Sequence, residues 1–180
     1  MTKLLGLFCV VIAVCLMGTI ANSTEPNNNA VTTTNTTATT AKVHCEVPCG
    51  IYADQRRFEE MLEDTQTIAK SIASIEEITK GFESGPTPKG VNQLTRWVNT
   101  KEAHATNTQQ IVAQYFLTQR IKADKENYVD QLKAAHAVMV AAMKCKQDAK
   151  AETAANLKLA IGKLYRAYEG KDPEFEKDHK

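Results

Sequence analysis

The sequence predicts an all-α protein, an antiparallel up-down four-helix bundle, on three observations. Apolar residues in the later three-quarters of the chain recur at steps of three and four, which lines one face of a helix. Gly and Pro interrupt that pattern between stretches, and no alternation long enough to read as a useful strand occurs. Residues 44–180 also make one domain's worth of chain, enough to bury roughly 65–70% of its unfolded surface.

The helices follow in order. Phe58, Met61, Leu62, Thr65, Ile68, Ile72, Ile75 and Ile78 form the first stripe, which Gly85-Pro86 and Pro88 end. Leu94, Trp97, Val98, Thr108, Ile111, Val112, Tyr115, Phe116 and Ile121 make the second. Tyr128, Leu132, Ala135, His136, Met139 and Met143 make the third. The fourth is Leu157, Ala160, Ile161, Leu164, Tyr165 and Tyr168, with Gly170 as its C-terminal stop. Four amphipathic helices joined by short polar breaks bury their stripes best against one another.

Composition narrows the function. The chain of 180 residues carries 22 Lys+Arg against 21 Asp+Glu, a net charge of +1. That balance offers no basic stripe for nucleic acid. Aromatic residues are only 6% with one Trp, so there is no stacking platform for bases. Lys3, Lys42 and Glu25 are the only charges before residue 44, which leaves the helical part neutral.

Two segments precede the helices. Residues 4–21 hold no charge, follow Lys3 and lead to small residues at Ala21 and Ser23, the pattern of a secretory signal. Residues 1–23 are therefore read as a signal peptide, and the run is also long enough for an uncleaved anchor. Between Asn22 and Val43, 14 of 22 residues are Thr, Asn or Ser. A stretch so poor in apolar surface cannot offset its ordering entropy, so 24–43 reads as a disordered pro-segment or spacer. The protein is expected to be exported, whether secreted, periplasmic or in an organelle lumen.

The chemistry lies between spacer and helices, in His44-Cys45-Glu46-Val47-Pro48-Cys49-Gly50-Ile51-Tyr52. If the chain is cut after Val43, His44 presents a free α-amine, an imidazole and the following amide nitrogen of Cys45. With the thiolates of Cys45 and Cys49, one short loop then offers up to five nitrogen and sulfur donors. Amine, amide and thiolate in sequence close fused chelate rings, an arrangement suited to square-planar Ni(II) or Cu(II). Zinc prefers a tetrahedron of other ligands. The same residues also admit a small Cys45–Cys49 disulfide in an exported protein, or half of a zinc site. The three-residue spacing and the lack of strands disfavour a thioredoxin-like motif.

His-Cys-x-x-Pro-Cys-Gly-x-Tyr followed by four helices resembles the nickel-containing superoxide dismutases, and the resemblance covers residues 44–180. Supporting segments are Gln-Arg-Arg-Phe-Glu at 55–59, Arg96-Trp97, Lys101-Glu102-Ala103-His104, Tyr115-Phe116 and Met143-Lys144-Cys145-Lys146. The resemblance implies dismutation of superoxide to O2 and H2O2 by a nickel ion cycling between Ni(III) and Ni(II). It implies nickel ligation by His44, Cys45 and Cys49 in an N-terminal metal-binding hook, with a cis Pro48 in the turn. Tyr52 would stand beside the metal as the catalytic residue, ordering superoxide or a water. A carboxylate of the first helix would hold the His44 imidazole; Glu59, which fits the local Arg-Phe-Glu pattern, is preferred over Glu60, which fits ungapped counting.

The family also implies a homohexamer and a maturation protease that exposes His44. Two positions depart from its pattern: Glu46 stands where Asp is frequent, and Ala53-Asp54 where a Pro is common. Elsewhere, His104 and His136 read as core or interface residues, His179 as a solvated tail residue and Cys145 as a buried or interfacial thiol. The competing reading is an exported helical binding module closed by a Cys45–Cys49 disulfide without metal.

Overall fold

A computed structural model describes residues 54–174, and every regular element there is helical. Four α-helices follow one another: α1 at Gln55–Lys80, α2 at Pro88–Gln110, α3 at Tyr128–Gln147 and α4 at Ala151–Glu169. α2 runs on without a break as a π-helix over Ile111–Arg120. No helix among the described residues is long and apolar enough to cross a membrane. The expected signal, spacer and hook lie outside the described residues.

Each helix packs against its neighbours in the chain, and α1 closes against α4. Side-chain cross-links give the directions. Asp64 of α1 meets His104, Asn107 and Thr108 late in α2. Lys101 of α2 reaches the carbonyls of Cys145 and Lys146 at the end of α3. Asn127, at the head of α3, donates to the carbonyl of Ala167 at the end of α4 (2.8 Å). Successive helices are therefore antiparallel, up and down.

Local chemistry sets the ends. Thr87 is extended and its hydroxyl accepts the Gly90 N–H (3.1 Å), capping α2 with Pro88 in its first turn. Gly170 closes α4 at φ +70°, a left-handed conformation that glycine adopts without Cβ strain.

The core is densest around Phe58, which is fully buried. Its ring lies 4.8 Å from Phe116, 4.9 Å from Tyr165 and 6.0 Å from Tyr168, centroid to centroid. Ile68, Ile72, Leu157, Ile161 and Leu164 continue the core along α1 and α4. In the fourth helix, five of the six residues of the expected stripe are buried and Tyr168 is half-buried.

Two stripes differ from expectation. In α3 the buried face is Gln131, Ala135, Val138, Ala141, Ala142 and Cys145, while His136 and Met143 are exposed. Leu132, Val140, Met139 and several alanines make this helix apolar nearly all round, so periodicity alone does not select a face. The small side chains turn inward, where they permit close helix contact. In α2 nothing before Lys101 is buried, and Leu94, Trp97 and Val98 are only half covered. The reason is length: α3 ends level with Lys101, so among the described residues the first turns of α2 have only α1 beside them.

The aromatic cluster leads to a direct test. Phe58→Ala should destabilise the protein by about 3–5 kcal/mol through lost burial and a residual cavity. Urea unfolding followed by helical circular dichroism measures it; a loss under 1 kcal/mol on the same scale would contradict this packing.

Candidate metal centre and its anchorage

His44, Cys45, Cys49 and Tyr52 lie outside the described residues. The structure begins at Asp54, two residues after Tyr52, and that residue is the most heavily engaged polar group of this end of the bundle. Asp54 precedes α1, a position where an aspartate usually caps its own helix. Here its side chain makes no cap.

The carboxylate is 7% exposed and points instead between α4 and the π-helix. Tyr115 donates its hydroxyl to Oδ1. Tyr168 donates to Oδ2 (2.5 Å), and Arg120 adds Nε (3.0 Å) and Nη2 (2.6 Å) to the same oxygen. The π-helix makes this possible. Tyr115 and Arg120 are five apart, a spacing that brings residues together where hydrogen bonds run from i to i+5. Thr118 Oγ1 to the Ala113 carbonyl (2.7 Å) and the Ile121 N–H to the Phe116 carbonyl (2.8 Å) follow that step.

Burial pushes the Asp54 carboxyl up, but the hydrogen bonds from Arg120, Tyr115 and Tyr168, with the Arg120 charge, outweigh it. The net effect holds the group below the ordinary carboxylate value. The Tyr168 phenol is pushed up by burial and by its bond to the same carboxylate. The Arg57 guanidinium stacks over the Tyr115 ring, 5.1 Å from its centre.

The two candidate carboxylates of α1 differ in surroundings. Glu59 is exposed and accepts from Gln55 of its own helix (3.2 Å). Glu60 is half-buried, pairs with Arg57 (2.8 Å) and accepts from Asn107 of α2 (3.3 Å). One turn further, Asp64 is 4% exposed and accepts from His104 Nδ1 (2.6 Å), Asn107 (2.9 Å) and Thr108 (3.1 Å). Burial raises its pKa, and these three partners offset that only in part.

His104 is thus a satisfied partner in the α1–α2 layer, and His136 is exposed. Cys145 is a free, fully buried thiol whose pKa burial pushes up. His179 lies outside the described residues. Among the described residues no three His, Cys, Asp or Glu side chains converge to hold a metal ion. Residues 44–49 include one histidine and two cysteines, residue types whose donors suit nickel.

Sequence reasoning missed Asp54, Asp64 and Arg120. Asp54 stood only as a departure from a family pattern, and Tyr115 and Tyr168 were counted as apolar stripe. The signal was present but faint. An aspartate opening a helix, and tyrosines rather than phenylalanines on a buried stripe, both ask for a polar partner.

Comparison with known proteins adds one finding. The family model for nickel-containing superoxide dismutase matches residues 39–171. No curated protein and no solved structure gives a match.

The depressed Asp54 group carries a signed pH dependence. A carboxylate with a lowered folded-state pKa favours folding at neutral pH, and that contribution is lost as pH falls through the folded value. The stability gap between wild type and Asp54→Asn should therefore be full near pH 7 and close as pH drops below 3.8. Urea midpoints of both proteins across that range measure it; a gap independent of pH would refute the assignment.

Proposed function

The chain belongs to the nickel-containing superoxide dismutase family, an oxidoreductase with nickel as cofactor and superoxide as substrate, and we propose that its own catalytic loop is the hook at residues 44–52. The family match carries this reading, because it spans the hook and all four helices. Cleavage before His44 by a maturation protease would free the amine that makes the donor set complete. Residues 1–23 would direct export to a secreted, periplasmic or luminal destination, and 24–43 would be discarded as the pro-segment.

His44 would hold the metal through its amine and imidazole, Cys45 through its amide nitrogen and thiolate, and Cys49 through its thiolate. Bound nickel would supply a one-electron Ni(III)/Ni(II) couple, matching the reaction's oxidation of one superoxide to O2 and reduction of another to H2O2. The thiolates and the deprotonated amide are strongly donating anions, which favour the higher oxidation state that a hydrated ion resists. Both sulfurs must stay out of a disulfide, and metal binding would protect them. The hydroxyl of Tyr52 would orient superoxide or a water by hydrogen bonding. Glu59 or Glu60 would hold the His44 imidazole in position. Glu60 already faces α2 beside Arg57 and Asn107, whereas Glu59 is exposed and, among the described residues, accepts from Gln55. Assembly as a homohexamer would cover helix surfaces such as those around Leu159 and Val129, which are exposed in the single chain.

The decisive experiment measures the N-terminal residue and the metal content on one sample purified from the export route. His44 at the N-terminus with about one nickel per chain is the expected result. A chain that starts at His44, takes up no nickel and shows a two-proton mass deficit would instead identify a disulfide-closed module. Cys45→Ser or Cys49→Ser should abolish activity and leave helical circular dichroism nearly intact. Tyr52→Phe should lower or alter turnover at unchanged nickel content, and loss of the metal would contradict its assignment.

A further inference from the structure

We infer that Asp54 is a positioning residue for the catalytic hook, clamped by Tyr115, Arg120 and Tyr168 so that the chain leaves the bundle toward Tyr52 from one fixed point. The inference rests on the hook reading above and adds what holds the hook to the helices.

Three observations support it. Two residues of chain reach no further than about 7 Å, so whatever fixes Asp54 limits where Tyr52 can stand. The fixing is unusually complete for a residue at the start of a helix: four donor atoms from two other elements converge on one carboxylate. Its partners lie 61, 66 and 114 residues away in the chain, so the clamp ties the start of α1 to the π-helix and the end of α4 at once.

A cap would have sufficed to begin α1. The helix begins without one, and the side chain is committed to the clamp instead. The clamp also has its own support: Phe58, one turn into α1, packs on Phe116 and Tyr168, neighbours of the donors in sequence or donors themselves. The point of departure is therefore held by a rigid aromatic floor and by charge-assisted hydrogen bonds, which are the strong and directional kind. Such rigidity suits a loop that must present a metal and a tyrosine in one geometry.

The test compares wild type, Asp54→Asn and Tyr168→Phe in the protein processed to His44. In the metal-free chain, hydrogen exchange should rise about tenfold across residues 51–58 for Asp54→Asn and stay unchanged in α3. Tyr168→Phe removes one donor and no charge, should move exchange in the same direction, and decides the matter should Asp54→Asn unfold. After nickel loading, the electron paramagnetic resonance spectrum of the oxidised metal should change, and turnover per bound nickel should fall about tenfold to a hundredfold. Exchange at 51–58 and a nickel spectrum both identical to wild type in the two variants would overturn the inference. So would a uniform rise of exchange in all helices at unchanged turnover per nickel, which is the mark of a purely structural residue. Failure of wild type to take up nickel sinks the hook reading instead, and the exchange comparison still decides whether Asp54 is the anchor.

Discussion

A buried carboxylate with four hydrogen bonds organises one end of this bundle. Moving an ionised group out of water costs several kcal/mol unless it is paired and its lone pairs are filled. Asp54 meets both conditions, with Arg120 as counter-ion and two phenols completing the set. Because those donors come from the π-helix and α4, the start of α1 cannot shift without breaking bonds to both. Removing a single partner would leave a buried charge short of donors, the costly case. The register of three helices is thus written at their shared end.

The middle and far end repeat the principle with different chemistry. Asp64 sits among apolar neighbours of α1 and is filled by His104, Asn107 and Thr108 from α2. Lys101, 3% exposed, places its ammonium on the carbonyls that end α3 and on Glu102. A cation there meets unpaired carbonyls and the negative end of the helix dipole together. Apolar burial supplies most of the drive to fold, yet it is indifferent to a slide of one helix past another by a turn. The three polar clusters are not indifferent, so they select one alignment.

The π-helix belongs to the same logic. Ten residues with i to i+5 bonding are rare, and such segments collect at functional sites. This one widens the repeat so that Tyr115 and Arg120 reach one carboxylate while Ile111, Val112 and Phe116 stay in the core. An α-helical repeat would bring together residues three or four apart instead.

How much could be read in advance differs by element. The stripe of α4 was legible residue by residue, because charged and polar side chains separate its apolar ones and leave one face. That of α3 was not, because alanine, valine and methionine populate more than one face and only packing against α2 and α4 chooses among them. The early stripe of α2 looked like core until the end of α3 showed that, among the described residues, α1 alone covers it. The proposed hook rests on sequence for a covalent reason: His44, Cys45 and Cys49 lie within six residues, so their relation does not depend on folding. Asp54, Asp64 and Arg120 were not, since their partners lie 40 to 114 residues away. Local sequence therefore determined the helical class and the helix ends, both of which depend on neighbours within a few residues. Tertiary structure alone decided which carboxylates are buried, what neutralises them and how the start of α1 is tied to the π-helix and α4, because those are matters of distance between residues that sequence does not place together.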